Sequence, residues 1–165
     1  RVFFDLSTWH LIQWLYLPRA MSQAQSLRVN YTDTRLHERL MKVLRHHDGH
    51  RIAHEVELAK IRCSQEDAAS AVDLSFVETG LEASLTPADM RDHLAALLAR
   101  TVACARECVQ RAGLTDGALD AIYLTGGSSA LRPFQQALQA EFAGVELVVG
   151  DLFGGVASGL AYSRG

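Results

Sequence analysis

The residues best placed to do chemistry lie in AIYLTGGSSALRP, residues 121–133, where an apolar run breaks at Gly126 and Gly127. Ile122, Tyr123 and Leu124 read as a buried strand. Phe134, Leu138 and Phe142, each four apart, read as a helix that begins directly after the glycines. Glycines lack the Cβ that keeps other molecules off the backbone, and the first amides of a helix have no intrahelical acceptor. Such a junction can hold a phosphate, a ribose or the polar rim of a base, although Gly-Gly after a strand is also an ordinary tight turn. A second set, Glu57, Lys60 and Ser64, is spaced by three and four and puts a carboxylate, an ammonium and a hydroxyl on one helical stripe. Spacing alone favours a surface ion pair there.

Familiar catalytic signatures are missing. Neither the phosphate loop G-x-x-x-x-G-K-[ST] nor the dinucleotide fingerprint G-x-G-x-x-G occurs. Gly126-Gly127-Ser128-Ser129 is followed by Ala130, so it is not a G-x-S-x-G nucleophile elbow, and its serines suit a sugar hydroxyl or a helix cap. His50 and His54, with Glu57 nearby, have metal-ligand spacing, but Leu58 stands where the metalloprotease pattern needs a second histidine. Cys63, Cys104 and Cys108 contain no C-x-x-C pair and read as reduced, buried small hydrophobes. No catalytic residue and no metal ligand is assigned within the chain.

These candidates need a scaffold, and 165 residues at 48% hydrophobic and 21% charged can supply one domain or two small lobes. No apolar run is long enough to span a bilayer and no signal peptide is evident, so the expectation is a cytoplasmic protein without a membrane partner. Residues 1–62 hold ten Lys and Arg against six Asp and Glu, and six of the seven histidines. The basic residues are scattered without interleaved aromatics, which reads as a solvated helical face and not as a nucleic-acid surface. The chain enters an apolar segment at once, Arg-Val-Phe-Phe-Asp without an initiator Met, and reads as a piece of a longer protein.

Periodicity predicts a helix over residues 5–17 stopped by Pro18, a connection over 19–30, a helix from Thr34 to Arg45 and another carrying Ile52 to Ile61. Alternation from Ala71 to Glu78, a turn at Glu78-Thr79-Gly80 and a run from Leu81 to Leu85 predict a hairpin. Thr86-Pro87-Ala88-Asp89 starts a long helix whose apolar line is Met90, Leu94, Leu97, Leu98, Val102, Ala105, Cys108 and Val109. From residue 119 the order is strand, Gly-Gly, helix, strand (Val145 to Val149), Gly154-Gly155 and a helix from Val156 to Tyr162. In such a βαβα unit, both glycine turns can face one cleft.

Glu57-Leu58-Ala59-Lys60-Ile61-Arg62-Cys63-Ser64, the Thr86 helix start, Tyr123-Leu124-Thr125-Gly126-Gly127-Ser128-Ser129 and Gly155-Val156-Ala157-Ser158-Gly159-Leu160-Ala161 occur in an order and at separations that resemble DnaK-type heat-shock chaperones. The resemblance, over nearly the whole chain, is to the second half of the ATPase domain of this heat shock protein 70 family. Phe4-Asp5-Leu6-Ser7-Thr8-Trp9-His10 is similar to the opening of its YegD-like branch.

The resemblance implies an α/β fragment of a larger nucleotide-binding domain: an actin-like ATPase core lobe, related to ribonuclease H, with an inserted α+β lobe. Residues 1–24 and 95–165 would form the core lobe and residues 25–94 the insertion. The adenosine of ATP or ADP would lie between Glu57, Lys60, Ile61 and Ser64 on one side and Gly126, Gly127, Ser128, Leu131 and Phe153 on the other. Ile61 and Ala130 stand where relatives place stacking arginines, and Phe153 where they place an acid near the ribose. Each lost guanidinium removes about 0.5–2 kcal/mol of stacking and cation–π attraction. Leu131 keeps its apolar contact.

Phosphate loops and magnesium would come from the preceding half, so this stretch alone is not expected to hydrolyse ATP. Chaperone function in the intact protein implies client polypeptides or co-chaperones as partners. Alternatives are a degenerate member serving as a protein-interaction module, or another actin-like ATPase such as a sugar kinase or a reactivating factor.

Overall fold

The computed structural model describes residues 2–150 and residue 154. The protein is mixed α/β, mostly helical, with two small sheets among the described residues. It divides into two compact units, Arg1–Lys60 with Ala69–Leu85, and Ile61–Ala68 with Thr86–Gly165. These bounds cut the chain at other places than the lobes implied by the resemblance.

In the first unit the expected helix over 5–17 is instead α1 (Val2–Leu6), a break, and a 3-10 helix (Trp9–Tyr16). The Ser7 and Thr8 hydroxyls both donate to the Phe4 carbonyl, offering the backbone a local alternative to continued helix. Pro18 does not stop a helix but opens one, α2 (Pro18–Ser26), where its missing N–H costs nothing. The predicted connection is therefore helical, through α2 and a 3-10 turn at Leu27–Asn30.

Helix α3 (Thr34–His46) matches its expected span, with the Asp33 carboxylate accepting from the Arg35 N–H at 2.9 Å. Its apolar face, Leu40, Met41 and Leu44, closes over Val2, Leu15 and Ala24 to make this unit's core. The buried His37 ring donates from Nε2 to the Ala24 carbonyl at 3.0 Å. Antiparallel strands β1 (Ser70–Asp73) and β2 (Glu82–Leu85) pair from Ser70 opposite Leu85 to Asp73 opposite Glu82. Arg39 and Lys42 of α3 hold the intervening turn, donating to the Glu78 carboxylate and the Val77 carbonyl.

Helix α4 (Gly49–Glu66) begins at a crowded corner. The Tyr16 hydroxyl accepts the Gly49 N–H at 3.1 Å, and the Tyr16 ring stacks on His47. A Cβ at position 49 would lie 2.5 Å from Ile12 Cγ2 and 2.7 Å from the Tyr16 oxygen.

In the second unit α5 (Pro87–Arg111) has the expected capping box. The Asp89 N–H donates to Thr86 Oγ1 at 3.1 Å while the Thr86 N–H donates to Asp89 Oδ2 at 2.9 Å. A short 3-10 turn (Asp116–Ala118) leads to β3 (Ala121–Leu124). After the glycine segment come α6 (Arg132–Glu141) and β4 (Glu146–Val149), which pairs parallel to β3. Leu124, Leu138, Phe142 and Val145 form the core, with Val102, Ala105 and Val109 of α5 against it. The expected strand–helix–strand order is present. The second glycine pair and the helix over 156–162 fall outside the described residues except for Gly154.

Two measurements check this account. Gly49→Ala must displace Ile12, so denaturant unfolding should show a loss of about 1–3 kcal/mol. The Thr86 hydroxyl, and next its backbone N–H, hold the Asp89 carboxyl below the ordinary aspartate value of 3.8. That contribution is complete above the ordinary value and is lost as pH falls through the lowered one. The stability gap between wild type and Asp89→Ala should thus stay constant from pH 7 to about 5 and narrow in stronger acid.

Candidate functional site

The stripe is one stretch of α4, but its members are not equivalent. Glu57 and Lys60 form an i,i+3 ion pair with both side chains partly in solvent, the surface pairing that spacing favours. Ile61 is 40% exposed, available as an apolar contact. Ser64 is buried.

Ser64 lies in the same unit as the glycine turn and has a defined task. Its Oγ accepts the Arg132 N–H at 2.8 Å. Arg132 is the first residue of α6, and its guanidinium also reaches Asp67, 3.3 Å away, just past the end of α4. Ser64 therefore caps another element's N-terminus across 68 positions of sequence.

The helix after the glycines does not begin at them. Gly126 adopts φ 83° and ψ 150°, a region essentially reserved for glycine, and a single 3-10 turn follows over Gly127–Ala130. Ser129 locks this turn, its Oγ donating to the Gly126 carbonyl at 2.6 Å, while Gln135 Nε2 donates to the Ser129 carbonyl at 3.0 Å. Leu131, half-buried, then accepts from the Phe134 and Gln135 N–H groups at 3.0 and 3.1 Å.

With Arg132 bound to Ser64 and Pro133 lacking an N–H, the start of α6 is satisfied internally. The amides expected to greet a ligand are thus not those of α6. What remains open is the turn: Gly126, Gly127 and Ser128 are exposed, and a Cβ built at Gly126 meets nothing within 4 Å. Phe153 lies outside the described residues.

The Ser64–Arg132 cap escaped sequence reasoning because nothing local marks it. The displaced helix start did leave a signal: Pro133 belongs in a first helical turn.

The other candidates resolve differently. His50 packs edge-on to Trp9 with ring centroids 4.5 Å apart, and His54 lines an apolar cleft of about 700 Å³ with Phe3, Leu6, Trp9, Ile52 and Val56. Among the described residues no three His, Cys, Asp or Glu gather as a metal set. No described helix is long and apolar enough to cross a membrane.

The cysteines correct an expectation. Cys63 is buried, and burial raises its thiol above the ordinary value, but Cys104 and Cys108 are exposed. Helix α5 turns Val102, Ala105 and Val109 inward, which leaves Leu97, 58% exposed, and Cys108 outside the apolar line read from the sequence.

No family model matches the chain, and a search of curated proteins finds no match.

Removing the Ser64 hydroxyl leaves the Arg132 donor without its partner at a part-buried position. Ser64→Ala should cost about 1–3 kcal/mol in urea unfolding.

Proposed function

We propose that the chain forms the adenosine-side part of an ATP-binding domain of the actin-like class, in a DnaK-type chaperone that couples nucleotide binding to the handling of client polypeptides. The reading rests on the four ordered sequence motifs, and one structural observation carries it further. The Ser64–Arg132 hydrogen bond brings the end of the Glu57–Ser64 motif to the element that follows the Gly126-Gly127 motif, within one unit. Within that unit Ser64 and the element after the glycine turn are neighbours, which supports the reading.

The residues fit a nucleoside better than a phosphate. Gly126 leaves open space for a flat ring, Ser128 offers an exposed hydroxyl for a sugar, and Leu131 and Ile61 are apolar. ATP, when bound, supplies the phosphoanhydride whose hydrolysis drives such chaperones. On this reading the described residues hold and orient its nucleoside end.

A second reading, a protein-interaction module on a degenerate fold, draws on the internal satisfaction of the α6 N-terminus and on the isoleucine and alanine at positions 61 and 130.

Calorimetry on the full-length protein separates the two. If the nucleoside is what is recognised, ATP, ADP and adenosine all bind, and Gly126→Val weakens each at least tenfold, about 1.4 kcal/mol. Absence of binding heat with all three ligands would leave the interaction module.

A further inference from the structure

Cys104 and Cys108 sit one turn apart on α5, both exposed and both free thiols. That is an unusual use of cysteine, which ranks among the residues most often buried. Residues four apart on a helix hold their Cβ atoms about 5–6 Å from each other on one face. Neither sulfur has a hydrogen-bond partner among the described residues, so both are at liberty to turn toward a common ligand.

We propose that Cys104 and Cys108 form a two-thiolate site for monovalent copper. Thiolates are soft donors that select ions such as Cu(I) and zinc. A structural zinc site requires four ligands, whereas no third Cys, His, Asp or Glu joins these two as a metal set among the described residues. Cys63 is buried and not available as a third sulfur. A two-donor site suits an ion content with two sulfurs in linear array, which monovalent copper is.

Binding exchanges the two S–H protons for one Cu(I), with no change of oxidation state, and leaves a complex of net charge −1. Arg100 stands one turn before Cys104 and Arg111 three residues after Cys108 on the same helix. Arg111 is itself paired with Glu107.

The test is an anaerobic titration of the reduced full-length protein against Cu(I) held by bicinchoninate, whose colour reports the copper withdrawn. One equivalent should leave the chelator for each chain, and X-ray absorption should show two sulfur neighbours. C104S and C108S should each weaken retention at least 100-fold, with circular dichroism unchanged because both positions are exposed, while C63S should hold copper like wild type. Failure to compete with bicinchoninate would overturn the proposal. So would undiminished binding by the serine variants, or half an equivalent per chain with a dimer in gel filtration.

Discussion

The second unit turns on the hydrogen bond from the Arg132 amide to the Ser64 hydroxyl. A helix N-terminus has donors that the helix cannot satisfy, and at α6 each is accounted for: Arg132 by Ser64, Phe134 and Gln135 by the Leu131 carbonyl, with Pro133 contributing none. That closure fixes where α6 starts. From there Leu138 and Phe142 reach Leu124 and Val145, and the crossover returns the chain parallel to β3. The glycine turn is the piece left between two anchored ends, its own geometry locked by Ser129.

Ser64 also shows how one side chain can be read in two ways. In the resemblance its hydroxyl faces a nucleoside, whereas in the structure its oxygen is already an acceptor. A serine oxygen has two lone pairs and one proton, so capping α6 leaves the proton to donate elsewhere. The Glu57–Lys60 pair differs, being an exposed ion pair whose partners satisfy one another. A ligand approaching them competes with that attraction.

Elements with dense local signals were legible in the sequence. The spans of α3 and the capped α5 and the β3–α6–β4 order follow from apolar period and cap chemistry, whereas the hairpin was legible only in outline: its first strand ends at Asp73, and Leu74 to Glu78, read as strand, form the turn. The amino-terminal segment was not, for a physical reason: proline is compatible with both the end and the first turn of a helix. Around Pro18 the polar run of α2 buries only Ala24, too small a footprint to produce a visible stripe. The cysteines misled for a related reason, because a helix position one residue off the inner line has the same apolar spelling as one on it. At the candidate site the glycine turn was legible and its true helix start only partly so. The cap was invisible, because a contact spanning the hairpin and all of α5 leaves no local trace.

The corner at Gly49 ties three positions together. Its nitrogen is held by the Tyr16 hydroxyl, and the space where a side chain would begin is filled by Ile12. None of the three can drift alone: a larger residue at 49 demands a smaller one at 12, and a change at 16 strands the amide. Among related sequences positions 12, 16 and 49 should therefore vary as a set or not at all, so that the history of this corner is written in pairs and triplets of substitutions and not in single steps.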